Sequence, residues 1–431
     1  MFDDETDEDF VDTRTSKVAR FALLSAISRL GRSFRGIALP LFVVFSGFEE
    51  AFYGIIVAAA GYASALFLFP AGHLSDKKGR GVSILLGGII SGTTLFLLPF
   101  FSSRNIILIL YGITGIGSGF MRTSVSTLLA DYTERGEERT QSYGYTTAIG
   151  ILTGMVGAFL AGLILDTQFF TWIDAEIVRY IVVFAIMGTF RFATGITGFM
   201  TERWLQDHEE IEISEPTELE NPLPDSAEND AKTATLFGIG RIMMGFTSGL
   251  VVPYLILWID TAFTPAPSLL GIIKSLSSLT LATGTLAVGL SSEKVGKLKM
   301  ITLLYILAPI LMFGMVNSPI LILSAVFYIS RMAVANMARP ARSSLLMEQL
   351  SAQRRGKSVA VTSIMWTFPR QTGTLLAALM MGLFGGIVTF GRLFFPIALV
   401  LYPISVIPAY IAVRRNERIR KSHQIESEGV T

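Results

Sequence analysis

The chain has 431 residues, of which 51% are hydrophobic and only 16% charged, with 35 Lys and Arg against 34 Asp and Glu. The formal net charge of +1 gives no reason to expect a nucleic-acid partner, and the lack of cysteine excludes disulfides and thiol chemistry. Nearly uncharged stretches of 18 residues or more recur along the sequence, and each is long enough to cross roughly 30 Å of hydrocarbon as a helix. The composition therefore predicts an all-α protein that crosses a membrane many times.

Twelve apolar stretches are predicted to be transmembrane helices, because hydrocarbon offers no hydrogen-bond partner to an open backbone. In chain order, predicted helices 1 to 12 span residues 21–46, 52–74, 82–101, 105–130, 142–165, 178–200, 234–259, 268–291, 300–316, 319–347, 358–385 and 390–413. The N-terminus MFDDETDEDF is acidic where a signal peptide would be basic, so we expect no cleaved leader.

The basic residues divide unevenly between the two sides of the predicted helices. The two tails and the loops after even-numbered helices hold 21 of the 35 Lys and Arg, whereas the opposite loops hold only Arg104, Arg179 and Arg392. Cytoplasmic loops of membrane proteins carry the excess of basic residues. We therefore expect a multi-pass protein of the plasma membrane with both termini in the cytoplasm.

One long polar segment divides the helices into two sets of six. Residues 202–232 hold eleven carboxylates and three prolines, a composition typical of a flexible linker. The predicted organisation is an acidic tail (1–20), a six-helix bundle (21–201), the acidic linker (202–232), a second six-helix bundle (233–413) and a basic tail (414–431).

The two halves repeat each other. At an offset of 217 residues, Asp76 matches Glu293, Gly79 matches Gly296 and Arg80 matches Lys297. At the same offset YGITGIGSGFMRTSVSTLLAD (111–131) lies over YISRMAVANMARPARSSLLME (328–348), so that Asp131 matches Glu348. Two pseudo-symmetric bundles in parallel orientation are the arrangement expected of one large class of secondary transporters.

The segment Gly72-His73-Leu74-Ser75-Asp76-Lys77-Lys78-Gly79-Arg80-Gly81 resembles the loop between helices 2 and 3 of the major facilitator superfamily, written G-x-L-x-D-R-x-G-R-R. The resemblance extends over residues 20–413, and ARPARSSLLMEQLSAQRRGKS (338–358) is similar to the drug and metabolite exporter branch. Tyr111 stands where the superfamily's helix-4 motif has Arg, and Met155 where the exporters' helix-5 motif has Pro. The resemblance implies the twelve-helix fold of that superfamily.

The loop motif has its own physical chemistry. Gly72 is expected to let helix 2 approach a neighbour, and Gly79 to supply a positive φ in a short turn. Asp76 at a helix end is favourable only against the N-terminus of another helix, which the resemblance identifies as the start of helix 11 near Ser358. The alternative is a loop that only sets the membrane topology.

The resemblance also implies that Arg80 pairs with Asp131. By the repeat, Lys297 then pairs with Glu348, and Glu293 faces the start of helix 5 near Ser142. Together these contacts would form a cytoplasmic gate that opens and closes. The predicted gate residues are Gly72, Asp76, Gly79, Arg80, Asp131, Glu293, Lys297 and Glu348.

Several arginines lie near the middle of predicted helices, where a charge costs roughly 3 kcal/mol or more unless it faces water or a partner. No carboxylate lies near the middle of any predicted helix. The partners of these arginines must therefore be cavity water, carbonyl groups or a negatively charged substrate. By the resemblance, helices 1, 4, 7 and 10 line the central cavity and helix 6 is peripheral, which makes Arg191 structural. The predicted cavity residues are Arg32, Arg35, Arg331, Asn336, Arg370, Trp366, Tyr254 and Gln371; ordinary packing between helices is the alternative for each.

Helices can bend where Pro and Gly occur together. The predicted hinge residues are Gly36, Pro40, Gly249, Pro253, Pro369 and Gly373.

The sequence holds no P-loop and no spaced metal ligands, so we expect neither ATP nor a metal nor any other cofactor, and no enzyme activity. The first hypothesis is a monomeric secondary transporter that exports a small organic molecule, possibly an anion, by alternating access, with membrane lipid around it. The second is proton-independent uptake or facilitated diffusion of an organic anion. The third is a membrane sensor that transports nothing.

Overall fold

The chain is helical almost throughout in a computed structural model that describes residues 4–132, 137–169, 171, 175–208, 224–350 and 355–428. The helices of the first half are α1 (Asp4–Phe45), α2 (Glu50–Leu66), α3 (Leu68–Lys78), α4 (Arg80–Leu97), α5 (Arg104–Asp131), α6 (Glu137–Leu165) and α7 (Glu176–His208). Those of the second half are α8 (Pro224–Val251), α9 (Leu255–Phe263), α10 (Pro267–Val295), α11 (Lys297–Val316), α12 (Leu321–Glu348), α13 (Arg355–Leu383), α14 (Ile387–Phe394), α15 (Ala398–Ile404) and α16 (Ile407–Glu428). These described ranges contain no strand.

Each of the twelve predicted helices corresponds to one helix or to a broken series. Predicted helix 2 is the pair α2 and α3, which meet at a bend of 43°. Predicted helix 7 is α8 and α9, separated by a 3₁₀ turn at Val252–Tyr254. Predicted helix 12 is divided among α14, α15 and α16, with a 3₁₀ turn at Phe395–Ile397. Both turns hold a proline near their start, where its missing N–H leaves no bond unmade.

Length and composition mark eight helices of the described residues as able to cross a membrane, or nine if α2 and α3 form one span. Helix α1 is not among them, because Arg29, Arg32 and Arg35 interrupt its apolar stretch.

Several helices are longer than the sequence predicts. Helix α1 begins at Asp4, inside the predicted tail, while α7 continues to His208 and α8 begins at Pro224, inside the predicted linker. Residues 209–223 of that linker lie outside the described part of the chain. The domain boundaries given above remain a prediction.

The chain forms two compact units. The first consists of Met1–Ile213 together with Thr264–Leu279, the first part of α10. Inside it, α1 packs on α6 and α7, and α4 packs on α5 and α7. An apolar cluster of Phe21, Leu24, Ile84, Leu128 and Leu205 joins one end of these helices.

The second unit consists of Ser214–Phe263 and Thr280–Thr431. Inside it, α8 packs on α13, and α11 packs on α12. A Cβ atom added to Gly249 would lie 1.9 Å from the Arg370 carbonyl oxygen, and one added to Gly373 would lie 2.1 Å from that of Phe246. These two predicted hinge glycines therefore permit the close approach of α8 and α13.

The other predicted hinge residues have different settings. Pro40 and Pro369 lie inside the continuous helices α1 and α13, whereas Pro253 lies in the 3₁₀ turn. A Cβ atom on Gly36 would meet the Lys274 side chain at 3.6 Å, an ordinary contact. A hinge function for any of them stays a prediction.

Candidate functional site

The first unit contains a cluster of arginines centred on α1. The side chain of Arg32 is exposed, that of Arg35 is half-buried, and the Arg32 Nε donates a hydrogen bond of 3.2 Å to the carbonyl of Ser28. Among the described residues, Arg32 is repelled by three further guanidinium groups, those of Arg29, Arg35 and Arg122. We call these four residues, with Arg191, the α1 arginine cluster.

Arg191 completes the cluster from α7. It is buried, with 5% of its surface exposed, and its Nη1 lies 3.6 Å from the Met121 sulfur. Its charge interacts with Arg32, Arg35 and the buried Tyr111 of α5. Tyr111 stands at the position where the superfamily's helix-4 motif has Arg, and the guanidinium of Arg191 on α7 interacts with its side chain.

The predicted cavity residues of the second unit are more deeply buried. Arg331 has 2% of its surface exposed, and its Nη2 donates a hydrogen bond of 3.0 Å to the Tyr402 hydroxyl. Asn336 donates to the Met332 carbonyl of its own helix at 2.7 Å. These contacts give both side chains a partner inside the second unit.

The remaining predicted cavity residues lie on the α8–α13 side of that unit. Tyr254 is fully buried and its hydroxyl donates to the Thr374 carbonyl. Gln371 is buried, and its Oε1 accepts no hydrogen bond from the described residues. Trp366 and Arg370 are half-buried. Their assignment to a substrate cavity remains a prediction.

The loop between α3 and α4 holds a network of charges around Arg80. Gly79 has φ +97°, as predicted for this short turn. The Arg80 Nε donates to the Asp131 Oδ2 at 3.0 Å, and its Nη1 donates to Asp76 and, at 3.2 Å, to the Ser75 hydroxyl. The predicted pair of Arg80 and Asp131 is therefore present, and Asp76 faces Arg80. The side chain of Ser358, the predicted partner region of Asp76, lies outside the described side chains.

Glu202 is the residue of this network that sequence reasoning missed. It lies on α7 with 6% of its surface exposed, and its carboxylate accepts the backbone N–H groups of Arg80 at 2.5 Å and Gly81 at 2.7 Å. Glu202 therefore caps α4, whose N-terminal N–H groups have no partner within the helix. The sequence places it in the acidic linker, and its one distinguishing signal is that it follows the apolar stretch of helix 6 directly.

The glycines of the loop differ in what they permit. A Cβ atom on Gly81 would lie 2.8 Å from both the Glu202 Oε2 and the Phe199 Cα. A Cβ atom on Gly72 would meet no described atom within 4 Å. The expectation that Gly72 allows a close helix approach therefore stays a prediction, because no described atom lies that near to it.

The repeat of this loop in the second unit forms the second predicted pair. Gly296 has φ +91°, and the Lys297 Nζ donates to Glu348 and, at 2.8 Å, to the Ser344 hydroxyl. The side chains of Glu293 and Ser142 lie outside those that the structure describes. Both ion pairs thus exist, while their function as a gate is not tested by these contacts.

A second carboxylate, that of Asp166, caps the start of α10. Asp166 follows α6, and its Oδ2 accepts from the backbone N–H (3.4 Å) and hydroxyl of Ser268 in the first turn of α10, while its Oδ1 accepts the Gln168 N–H at 2.9 Å. Burial raises the pKa of Asp166, but the hydrogen bonds from Ser268 and Gln168 and the charge of Arg179 outweigh it and hold the pKa below its usual value. No pattern in the sequence distinguishes this residue from other loop carboxylates.

The fold of the chain is that of known transporters. Residues 21–226 match the family described as Major Facilitator Superfamily. A bacterial homolog of the human lysosomal transporter Spinster, solved in an inward-facing and occupied conformation, has a TM-score of 0.69 at 15% identity over 95% of this chain and 97% of its own. The nucleoside transporter NupG has a TM-score of 0.69 at 14% identity, over 92% of this chain and 98% of its own. A D-xylose–proton symporter has a TM-score of 0.67 at 14% identity, over 92% of this chain and 96% of its own. No curated protein sequence matches the chain.

Proposed function

We propose that this chain is a secondary transporter of the major facilitator superfamily that moves a small organic anion by alternating access. The match of residues 21–226 to that family and the fold shared with three kinds of transporter support this class of function. It would act as a monomer in the plasma membrane, with lipid around it, both termini in the cytoplasm, and neither ATP nor nucleic acid as a partner.

The α1 arginine cluster carries the proposal of an anionic substrate. Arg35 is half-buried and has no hydrogen-bond or ion-pair partner among the described residues, while Arg32 bonds only a carbonyl of its own helix. Positive charges held close together repel one another, and an arginine within a membrane-spanning helix is costly unless it faces water or a partner. A carboxylate or phosphate group on the substrate would relieve both costs, because guanidinium groups bind such groups with paired hydrogen bonds.

Transport by reconstituted protein tests this proposal. Proteoliposomes would be given labelled organic acids and, in parallel, cations of the same size. Replacing Arg35 with Gln should lower the initial rate for acids by about tenfold or more, since a hydrogen bond to a charged group contributes about 1.5–3 kcal/mol. Arg104→Gln is the matched control, because Arg104 is exposed and its guanidinium rests 5.0 Å from the Phe52 ring.

Equal rates for wild-type protein and Arg35→Gln, or a preference for cations, would contradict the anionic substrate and leave the transporter class intact. We propose efflux as the direction, supported by the resemblance of residues 338–358 to exporters. Accumulation by inverted but not by right-side-out vesicles is the expected result.

Two other functions remain candidates with their own tests. Uptake or facilitated diffusion without protons is favoured by Tyr111 and Met155 at two motif positions, and transport that is insensitive to a protonophore would support it. A sensor would transport nothing and would bind a signalling partner through the acidic linker. Loss of that binding when residues 209–223 are deleted would support this function.

A further inference from the structure

A lysine of α10 packs against α1 beside the arginine cluster. The first part of α10, Thr264–Leu279, belongs to the first unit. Within this unit, a Cβ atom built on Gly36 would lie 3.6 Å from the Cε atom of Lys274, the carbon that bears the ammonium group. Lys274 is half-buried. The end of its side chain therefore rests on α1 at the position that Gly36 leaves without a side chain.

Gly36 lies on the same face of α1 as two members of the cluster. Residues three, four and seven positions apart share one face of a helix, so Arg29, Arg32 and Gly36 form one row. Gly36 lies about 6 Å along the helix axis from Arg32, and it directly follows Arg35. Lys274 thus adds a cation from a second helix next to the arginines of α1.

Contacts with α6 hold this part of α10 in place. The Ser275 hydroxyl donates a hydrogen bond of 2.8 Å to the Met155 carbonyl. A Cβ atom on Gly271 would lie 3.0 Å from the Ala158 carbonyl oxygen, so the two helices approach closely. Helix α6 in turn packs along α1. The backbone of Lys274 is therefore held beside the α1 arginine cluster by the packing of the first unit.

The charges that act within this cluster are those of arginines and a tyrosine. Among the described residues, no carboxylate is one of the groups whose charge acts on Arg32 or Arg191. One carboxylate on a substrate can bind one guanidinium with paired hydrogen bonds, which leaves the charge of a further cation unmatched. A lysine ammonium is a compact charge with three donors, so it suits a second acidic group that the planar guanidinium does not reach.

We infer that Lys274 binds the substrate directly, and that the substrate is an organic acid with two separate negative groups. The arginines of α1 bind one group, and the ammonium of Lys274 binds the other. This inference rests on the proposed function, because it names the substrate class and a specificity-determining residue of the same site.

Transport of paired acids by proteoliposomes tests the inference. Each labelled dicarboxylate would be compared with the monocarboxylate of the same chain length. Wild-type protein should prefer the dicarboxylate. Lys274→Gln should lower the affinity for the dicarboxylate by about tenfold and leave that for the monocarboxylate nearly unchanged. Lys274→Arg should keep the preference, as should Lys299→Gln, which removes an exposed cation of α11.

Chemical modification of a single variant separates charge from packing. The sequence holds no cysteine, so Lys274→Cys has one thiol. Coupling an aminoethyl group to this thiol through a disulfide should restore the preference for the dicarboxylate, whereas coupling a neutral ethyl group should not. Failure of the thiol to react would count against the inference, because a side chain that binds substrate must be reachable from water.

The outcomes distinguish this inference from the proposed function. Equal transport of the two acids by wild-type protein would overturn the inference about Lys274 and leave the anionic substrate intact. Equal losses for both acids in a folded Lys274→Gln protein would do the same. A lack of transport of any acid would overturn the proposed anionic substrate itself, and this inference with it.

Discussion

The carboxylate of Glu202 on α7 accepts the backbone N–H of Gly81 at 2.7 Å, on a helix 121 residues earlier in the chain. A second oxygen of the same carboxylate accepts the Arg80 N–H. The start of α4 is thus capped by a residue outside its own loop, and the side chain of Arg80 remains available to bind Asp76 and Asp131. The cap and the surface ion pairs are two separate contributions to one loop.

Removing the cap should destabilise the first unit measurably. Glu202→Gln keeps the size of the side chain but loses the charge that faces two N–H donors, and a buried charged hydrogen bond contributes about 1.5–3 kcal/mol. A lower Tm in detergent is the expected result. Asp207→Asn, at an exposed position of the same helix, should leave the Tm unchanged, and equal effects of the two variants would contradict the capping role.

Two glycines of the same motif should respond oppositely to alanine. Gly81→Ala places a methyl group 2.8 Å from both Glu202 and the backbone of Phe199, so a loss of about 1–3 kcal/mol from overpacking is expected. Gly72→Ala meets no described atom within 4 Å and should gain up to about 1 kcal/mol from helix propensity. Chemical or thermal unfolding of both variants measures the difference, and losses of similar size would refute it.

The Asp166 cap of α10 should be sensitive to acid. Because its folded-state pKa lies below the ordinary value of 3.8, the carboxylate stabilises the fold fully above that pH and loses its contribution as the pH falls through the folded-state value. Asp166→Asn should therefore lower the Tm at neutral pH, and its difference from wild type should shrink as the pH is taken below 3.8.

Ser268→Ala is the companion variant for that experiment. It removes the hydroxyl that donates to Asp166. The Tm of Ser268→Ala at neutral pH should therefore be lower than that of the wild-type protein, as is expected for Asp166→Asn. A Tm difference between Asp166→Asn and wild type that is constant across the acid range would show that the carboxylate does not cap the helix through its charge.

The parts of the structure that sequence could predict are those with a local or repeated pattern. Apolar stretches located the twelve helices, and the offset of 217 residues led from the pair of Arg80 and Asp131 to that of Lys297 and Glu348. Glu202 and Asp166 were missed because each binds a backbone more than 100 residues away in the chain. A backbone N–H is common to almost every residue, so the sequence around α4 or α10 carries no mark of its partner.

Burial is the second property that the sequence could not supply. Arg32 and Arg331 both lie near the middle of predicted helices, and the sequence around them does not show which of the two is buried. In the structure Arg32 is exposed, whereas Arg331 has 2% of its surface exposed and a tyrosine partner. Only the tertiary structure, which brings Tyr402 of α15 to Arg331, shows the difference.

The ion pair of Arg80 and Asp131 should contribute less to stability than the Glu202 cap. The Asp131 side chain is 44% exposed, so solvent screens the pair, and exposed pairs contribute about 0.2–1 kcal/mol. Asp131→Asn should lower the Tm only slightly, and added salt should remove the effect. A loss as large as that of Glu202→Gln would contradict this ranking.

The hydrogen bond between Arg331 and Tyr402 should stabilise the second unit without serving the substrate. Tyr402→Phe removes the acceptor of the Arg331 Nη2, which lies 3.0 Å away in a fully buried setting, and an orphaned buried donor costs about 1–3 kcal/mol. Tyr410→Phe is the matched control, because that hydroxyl accepts from Arg414 at the surface, where 47% of the residue is exposed. We expect a lower Tm for Tyr402→Phe alone, with the affinity for labelled organic acids unchanged. If Tyr402→Phe instead had the Tm of the wild-type protein but a weaker affinity for organic acids, Arg331 would belong to the substrate site, because the substitution would then change substrate binding without changing stability.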